Sequence, residues 1–206
     1  SYIGYSSRLM NNKVSENNIA VGGQLIRTQG KMVHYNVNGE FTFAGERSGD
    51  FFVEGHGELN LPIWGDTAQV VMNAFIKNQK PSYYIRHYHS RHAWWNQDFD
   101  KEWRTRLEGQ ISFPKTNTKL TVGVENIKNY CYFENTGVAY STSTGSGYSN
   151  NVTPRQHTGN LQVISANLRQ DYKFGIFHFD NDITYQKSTK SDLIPLPTLS
   201  LYTNLY

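Results

Sequence analysis

Three segments of this chain carry chargeable side chains at every second position. They are Glu54, His56 and Glu58; Glu102, Arg104, Arg106 and Glu108; and His178, Asp180 and Asp182. In an extended backbone alternate residues share a face. Carboxylates so placed could chelate Ca²⁺ or exchange protons with a substrate. The arginine row could draw anions or line a constriction. It could equally form ion pairs across a lumen with Glu54, Glu58 or Glu125. The same spacing describes the wetted wall of a β-barrel. That reading is preferred, because His34, Asn36, Asn38 and Glu40 form a polar face of the same kind without any special chemistry.

Two further clusters stand out. In His87-Tyr88-His89-Ser90-Arg91-His92, residues His87 and His89 share a face and could offer two imidazoles to a metal. No carboxylate or thiolate is fixed nearby to complete a set, so a polar, aromatic loop without metal is expected. Trp94 and Trp95, with Tyr83, Tyr84 and Tyr88, could stack on a sugar. The preferred role is anchoring at a membrane interface, shared with Trp64, Trp103, Phe113 and Tyr130. Ser90 beside His89 faces the other way in a strand and makes no catalytic pair. No Gly-x-Ser-x-Gly, phosphate-binding or dinucleotide glycine motif occurs. Neither an enzymatic activity nor a cofactor is expected.

The 206 residues are 37% hydrophobic and 18% charged, with 17 Gly, 14 Tyr and aromatics at 14%. Such aromatic content argues against disorder. A net charge of +3 is too small to suggest nucleic acid as a partner. Cys131 is the single cysteine, so no disulfide can form within the chain and no cysteine metal site exists. No run approaches the ~18 apolar residues of a membrane helix, which leaves a membrane β-barrel open. No signal peptide is visible, and both ends read as the middle of a pattern. The chain is therefore expected to be a fragment or a processed piece.

What must position the charged rows is strand, because period-two alternation is the recurring signal. Val33–Phe43 sets Val33, Tyr35, Val37, Gly39, Phe41 and Phe43 against His34, Asn36, Asn38, Glu40 and Thr42. Phe51–Leu61 and Trp103–Phe113 repeat it. Weaker candidates are Asn18–Thr28, Ala68–Lys77, Thr118–Glu125, Leu161–Gln170, Phe174–Gln186 and Pro197–Tyr206, with Tyr2–Leu9 as a clipped strand. Two irregularities are expected to be bulges or misassigned strands: Asn181 on the apolar face, and Leu161 and Val163 on the parity opposite to Ile164. No capped helix is expected. Several strands run about twice the ~5–6 residues of a soluble strand. Trp103 to Phe113, tilted ~40°, reaches roughly 25 Å, the height of an outer-membrane apolar band.

The expected connections also alternate. Gln29–Gly30, Pro62–Asp66, Pro114–Asn117 and Arg169–Lys173 are short. Gly45–Gly49, Lys80–Asp98, Tyr132–Thr158 and Lys187–Leu196 are longer and fall on one side, as in membrane barrels.

Lys80-Pro81-Ser82-Tyr83-Tyr84, His92-Ala93-Trp94-Trp95-Asn96, Arg104 to Gly109, Asn126 to Phe133 and Leu201 to Tyr206 together resemble the putative porin family of Bacteroidota outer membranes. The likeness spans most of the chain and part of that family's longer barrel. It implies one domain over 1–206, an all-β, antiparallel up-and-down transmembrane barrel of about nine or ten strands, partial here. It implies a bacterial outer-membrane location, with lipid and small hydrophilic solutes as partners and a homo-oligomer as one assembly. The expected function is a porin-like channel for passive diffusion. The pore-lining set is His34, Asn36, Asn38, Glu40, Glu54, His56, Glu58, Glu102, Arg104, Arg106, Glu108, Glu125, His178, Asp180 and Asp182. A substrate-specific uptake barrel and a soluble ligand-binding β-sandwich are the rivals.

Overall fold

The computed structural model describes residues 15–206 except 31, 64, 91, 92, 149 and 150, and leaves the side chains at 66 and 148 undescribed. The candidate strand Tyr2–Leu9, and Trp64, Arg91 and His92, therefore lie outside the described residues. Among the described residues nine long strands form one antiparallel sheet. They are β1 (Asn18–Arg27), β2 (Val33–Gly45), β3 (Phe51–Ile63), β4 (Asp66–Gln79), β7 (Glu102–Phe113), β8 (Thr118–Asn135), β11 (Val152–Phe174), β12 (Phe177–Ser188) and β13 (Leu199–Leu205). Each pairs with its neighbours in chain order, an up-and-down meander. Between β4 and β7 lie a one-turn helix α1 (Tyr83–Arg86) and a hairpin of β5 (His87–His89) and β6 (Trp94–Asn96). Between β8 and β11 lies a hairpin of β9 (Ala139–Thr142) and β10 (Gly145–Tyr148). Among the described residues the sheet is open, with β1 and β13 at its edges.

The registers keep every alternating pattern on the same side. Val37 faces Gly55, which faces Ala74, then Leu107, Val124 and Ile164. A slip of one residue at any pair would put that strand's apolar set among the charges, and so the register is fixed. The result is a single layer with one apolar and one polar face. The apolar face is not buried: Val21, Leu25, Phe41, Val53, Met72, Ile76, Leu107, Val122 and Ile164 are all exposed. Among the described residues the only buried hydrophobics are Ala68, Ile127 and Leu161. A soluble two-layer sandwich would pack this alternating face inside.

The apolar belt is slanted relative to the hydrogen-bonded rows. On β2 it reaches up to Phe43. On β13 it begins at Leu199, whose row runs through Tyr185, Ala166, Val122, Gly109, Met72 and Gly57 to Tyr35. The belt's edge thus falls eight residues, Phe43 to Tyr35, in seven strand-to-strand steps. At ~3.3 Å per residue and ~4.8 Å per strand, that slope corresponds to strands tilted by about 38°. Closed antiparallel barrels tilt their strands by ~35–45°. The sheet is therefore a length of up-and-down barrel wall, with the tilt written into where each strand's apolar residues stop.

The connections alternate in length as expected, with corrected bounds, except that the first two, 28–32 and 46–50, are equally long. Connections 28–32, 64–65, 114–117 and 175–176 lie at one end, and 46–50, 80–101, 136–151 and 189–198 at the other. Gly65 (φ 74°) and Gly175 (φ 61°) close the two-residue turns in a left-handed conformation that favours glycine. The short connection expected at Arg169–Lys173 is strand, and the turn comes at 175–176. The long loop expected over Tyr132–Thr158 is mostly strand as well. β8 continues to Asn135 and β11 starts at Val152, paired above the belt. There the alternation breaks, because Asn129 adopts φ 60° and the register shifts between His157 and Asn160. Below that shift Leu161 sits opposite Ile127 on the polar face, where both are buried. Asn181 does face the apolar side, between Gln170 and Thr203, and Thr203 Oγ1 donates to its Oδ1 at 3.1 Å.

Candidate functional site: the charged face

The side chains of the polar face join strand to strand. On β3, His56 contacts Glu58 Oε1 through Nε2 at 3.0 Å and Asn73 Oδ1, on β4, through Nδ1 at 2.7 Å. Asn73 Nδ2 donates to Glu108 Oε1 on β7 at 3.3 Å, and Arg106 Nη2 donates to Glu108 Oε2 at 2.5 Å. Arg106 Nη1 lies 3.6 Å from Glu125 Oε2 on β8. Arg104 Nε donates to Glu125 Oε1 at 2.8 Å, its Nη2 bonds the same oxygen, and its Nη1 lies 3.7 Å from Glu102. At the other end His34 Nδ1 approaches Glu58 at 3.9 Å, Asn38 Nδ2 donates to Glu54 at 2.9 Å, and Gln24 Nε2 donates to Asn36 at 2.9 Å. A polar ladder thus crosses β1 to β8 without leaving one face.

Register explains the partners. Arg106 is directly opposite Glu125, and Asn73 is opposite both His56 and Glu108. The arginines pair within the sheet, with their own strand and with neighbouring β8; Glu54 and Glu58 bind Asn38 and His56 instead. The side chain of Glu125 is 13% exposed and serves two guanidiniums, each about 40% exposed. Charge-assisted forks of this kind fix side-chain direction as well as adding energy. Their outer N–H groups still reach solvent.

Farther along, Asn167 Nδ2 donates to Asp182 Oδ1 at 2.5 Å and to Thr184 Oγ1 at 2.8 Å. Asp180 faces Asp171 in register, and the His178 ring stacks on Tyr206 at 5.2 Å. All fifteen polar residues singled out in the sequence lie on this one face. The registers add several that composition did not point to: Lys77, Asn73, Lys119, Asn167, Arg169, Asp171 and Lys173. The parity of each within its strand was the available signal. Among the described residues the face carries nine carboxylates (Glu40, Glu54, Glu58, Glu102, Glu108, Glu125, Asp171, Asp180, Asp182) against six lysines and arginines (Lys77, Arg104, Arg106, Lys119, Arg169, Lys173). It is acidic although the whole chain is basic. A cavity of about 230 Å³ opens on it, lined by Asn36, Asn38, Glu54, His56, Asn73 and Arg106 among others.

The aromatics divide between two settings. Trp103 and Phe113 cap the two ends of the apolar face of β7, and Trp103 meets Phe51 edge-on at 5.5 Å. Trp94, Trp95 and Tyr130 lie at the end that carries the long connections. Trp95 stacks on Tyr88 at 4.7 Å, meets Phe133 at 5.9 Å and donates Nε1–H to Tyr84 O at 3.1 Å, while Trp94 stays exposed. His87 is engaged by Asn96 at 2.5 Å. Among the described residues no group of three or more His, Cys, Asp or Glu is placed to hold a metal.

Two buried charges that sequence reasoning missed organise the same end. Asp50, 5% exposed, takes Arg47 Nε and Lys101 Nζ at 2.9 Å and the Lys80 N–H at 3.0 Å. It ties the 46–50 turn to both ends of connection 80–101. Buried Arg86 donates to Glu16 Oε1 at 2.7 Å and to Pro81 O at 3.0 Å. Apart from Arg47, three residues before Asp50, these partners meet only when connection 80–101 folds, so no local motif signals them. On β8, above the belt, burial, with Glu102 adding to it, pushes the Cys131 thiol up to about 11.

The sequence profile of one family, described as Putative porin, matches residues 1–206. Neither the curated proteins nor the solved structures contain a match to this chain.

Proposed function

We propose passive diffusion of small hydrophilic solutes as the role of this chain, which belongs to the family described as Putative porin. The observation that carries the reading is the division of one layer into two faces with opposite tastes. The apolar side chains are exposed on one face and follow a belt slanted by the tilt of a barrel strand. On the other face Arg104, Arg106, Glu108 and Glu125 pair with one another and stay partly open to water. In lipid a strand can cross only when every edge is paired in a closed barrel. A belt from Trp103 to Phe113 stands roughly 25 Å tall at this tilt, which suits an outer-membrane hydrocarbon core. We therefore place the chain in the bacterial outer membrane, with the short turns on the periplasmic side and connection 80–101 outside.

Transport then follows from geometry and field. The polar face is the wall of the water-filled path. Its ion-pair ladder holds long side chains against the wall, so solutes meet a fixed surface, and its carboxylate surplus favours cations modestly. No covalent step is assigned. Liposome swelling tests this. Vesicles holding the inserted protein should swell in isotonic solutions of small sugars, at rates that fall as the sugar grows. Inserted protein that admits none of them would overturn the proposal. Saturable uptake of one sugar alone would favour the substrate-specific barrel.

A further inference from the structure

We infer that the outer rim of the apolar face carries a binding site for the phosphate group of a membrane lipid, centred on Lys128. The row Asn78, Trp103, Lys128, Asn160 runs across β4, β7, β8 and β11 on the apolar side of the sheet. With Lys101 and Asn129 these residues line a cavity of about 480 Å³. Lys101 is already bound to Asp50. Lys128 has no ion pair among the described residues, and no carboxylate lines the cavity with it. Asn160 is its neighbour in the row on one side, and on the other Trp103 stands between it and Asn78. A cation beside amide side chains suits an oxyanion.

The position says which oxyanion. The cavity opens on the face away from the charged ladder, so a solute in the water-filled path does not reach it. Below it the exposed side chains Ile76, Leu107 and Ile164 form the belt, with the paired amides of Asn126 and Gln162 (2.9 Å) marking the border on β8 and β11. An occupant must present negative charge at the top and hydrocarbon beneath, as a phospholipid with an exposed phosphate does. This rests on the membrane reading above.

Native mass spectrometry of the folded, full-length protein released from detergent, with phosphatidate and phosphatidylcholine as competing probes, tests it. The wild type should retain phosphatidate over phosphatidylcholine by about tenfold, the worth of one charge-assisted contact. Lys128→Gln should lose that preference. Lys187→Gln, which removes an outward cation beside Ile164 and away from the cavity, should keep it. Equal preference in Lys128→Gln and wild type would mean that the lysine merely extends to the water and would overturn the site. Displacement of phosphatidate by millimolar inorganic phosphate would overturn the lipid assignment. Protein that conducts normally yet shows no preference strikes this inference alone, whereas protein that never inserts strikes the porin reading.

Discussion

A single arginine on the apolar face distinguishes lipid from water around it. Leu107 lies midway along β7 between Trp103 and Phe113, with Ala74 and Val124 beside it, and is 51% exposed. If that exposed half faces water, Leu107→Arg forfeits about 1 kcal/mol of partial burial. If it faces the middle of a hydrocarbon core, the cost is ~2–4 kcal/mol, which lowers the folding constant by roughly 30- to 1,000-fold. Gln110→Arg is the internal control. Gln110 sits on the same strand, three residues on, and faces the charged side. It should cost under ~0.5 kcal/mol. Both variants would be refolded into phosphatidylcholine vesicles and titrated with urea, with folding read from tryptophan fluorescence and gel mobility. The gap between them should be at least ~1.5 kcal/mol. A Leu107→Arg protein as stable as Gln110→Arg would refute the assignment of the apolar face to lipid.

Three further outcomes follow from the described contacts. Glu125→Gln strips the shared partner from Arg104 and Arg106. It should cost about 1–2 kcal/mol, discounted for the partly exposed guanidiniums, and move the reversal potential in a salt gradient toward anions. Asp50→Ala unties Arg47, Lys101 and the Lys80 amide together, costing ~2–4 kcal/mol. Limited proteolysis should then cut connection 80–101 in a protein whose strands remain protected. Cys131, with its thiol pushed up to about 11, is neutral at pH 8. Maleimide should therefore label it about 100-fold more slowly than in unfolded chain, with the rate climbing toward pH 11. Labelling as fast as in urea would contradict the burial.

The strands of the belt were legible because one physical rule governs them. An apolar face and a polar face on one layer impose period two, so Val33–Phe43, Phe51–Leu61 and Trp103–Phe113 could be read almost to their ends. Short connections then fix the pairing and the register places the polar residues. Above the belt that rule lapses. Asn129 turns left-handed, the β8–β11 register slips, and both strands continue through residues that read as loop. Leu161 and Val163 misled parity for a related reason. They belong to the polar face, where Leu161 is covered beside Ile127. The site was legible as a set of residues and not as a set of partners. Which carboxylate Arg106 would choose among Glu54, Glu58 and Glu125 depends on a register fixed by distant turns. The clamps at Asp50 and Arg86 depend on how connection 80–101 folds, which no spacing encodes.

Passive diffusion requires the charged face to border a continuous aqueous path through a membrane. Planar-bilayer recording of the full-length protein, inserted from detergent, tests it most directly. Stepwise openings of uniform size are expected, with a reversal potential in a potassium chloride gradient that shows a modest preference for potassium. Protein that inserts, as judged by protection of its strands from protease, but passes no current at any voltage would contradict it.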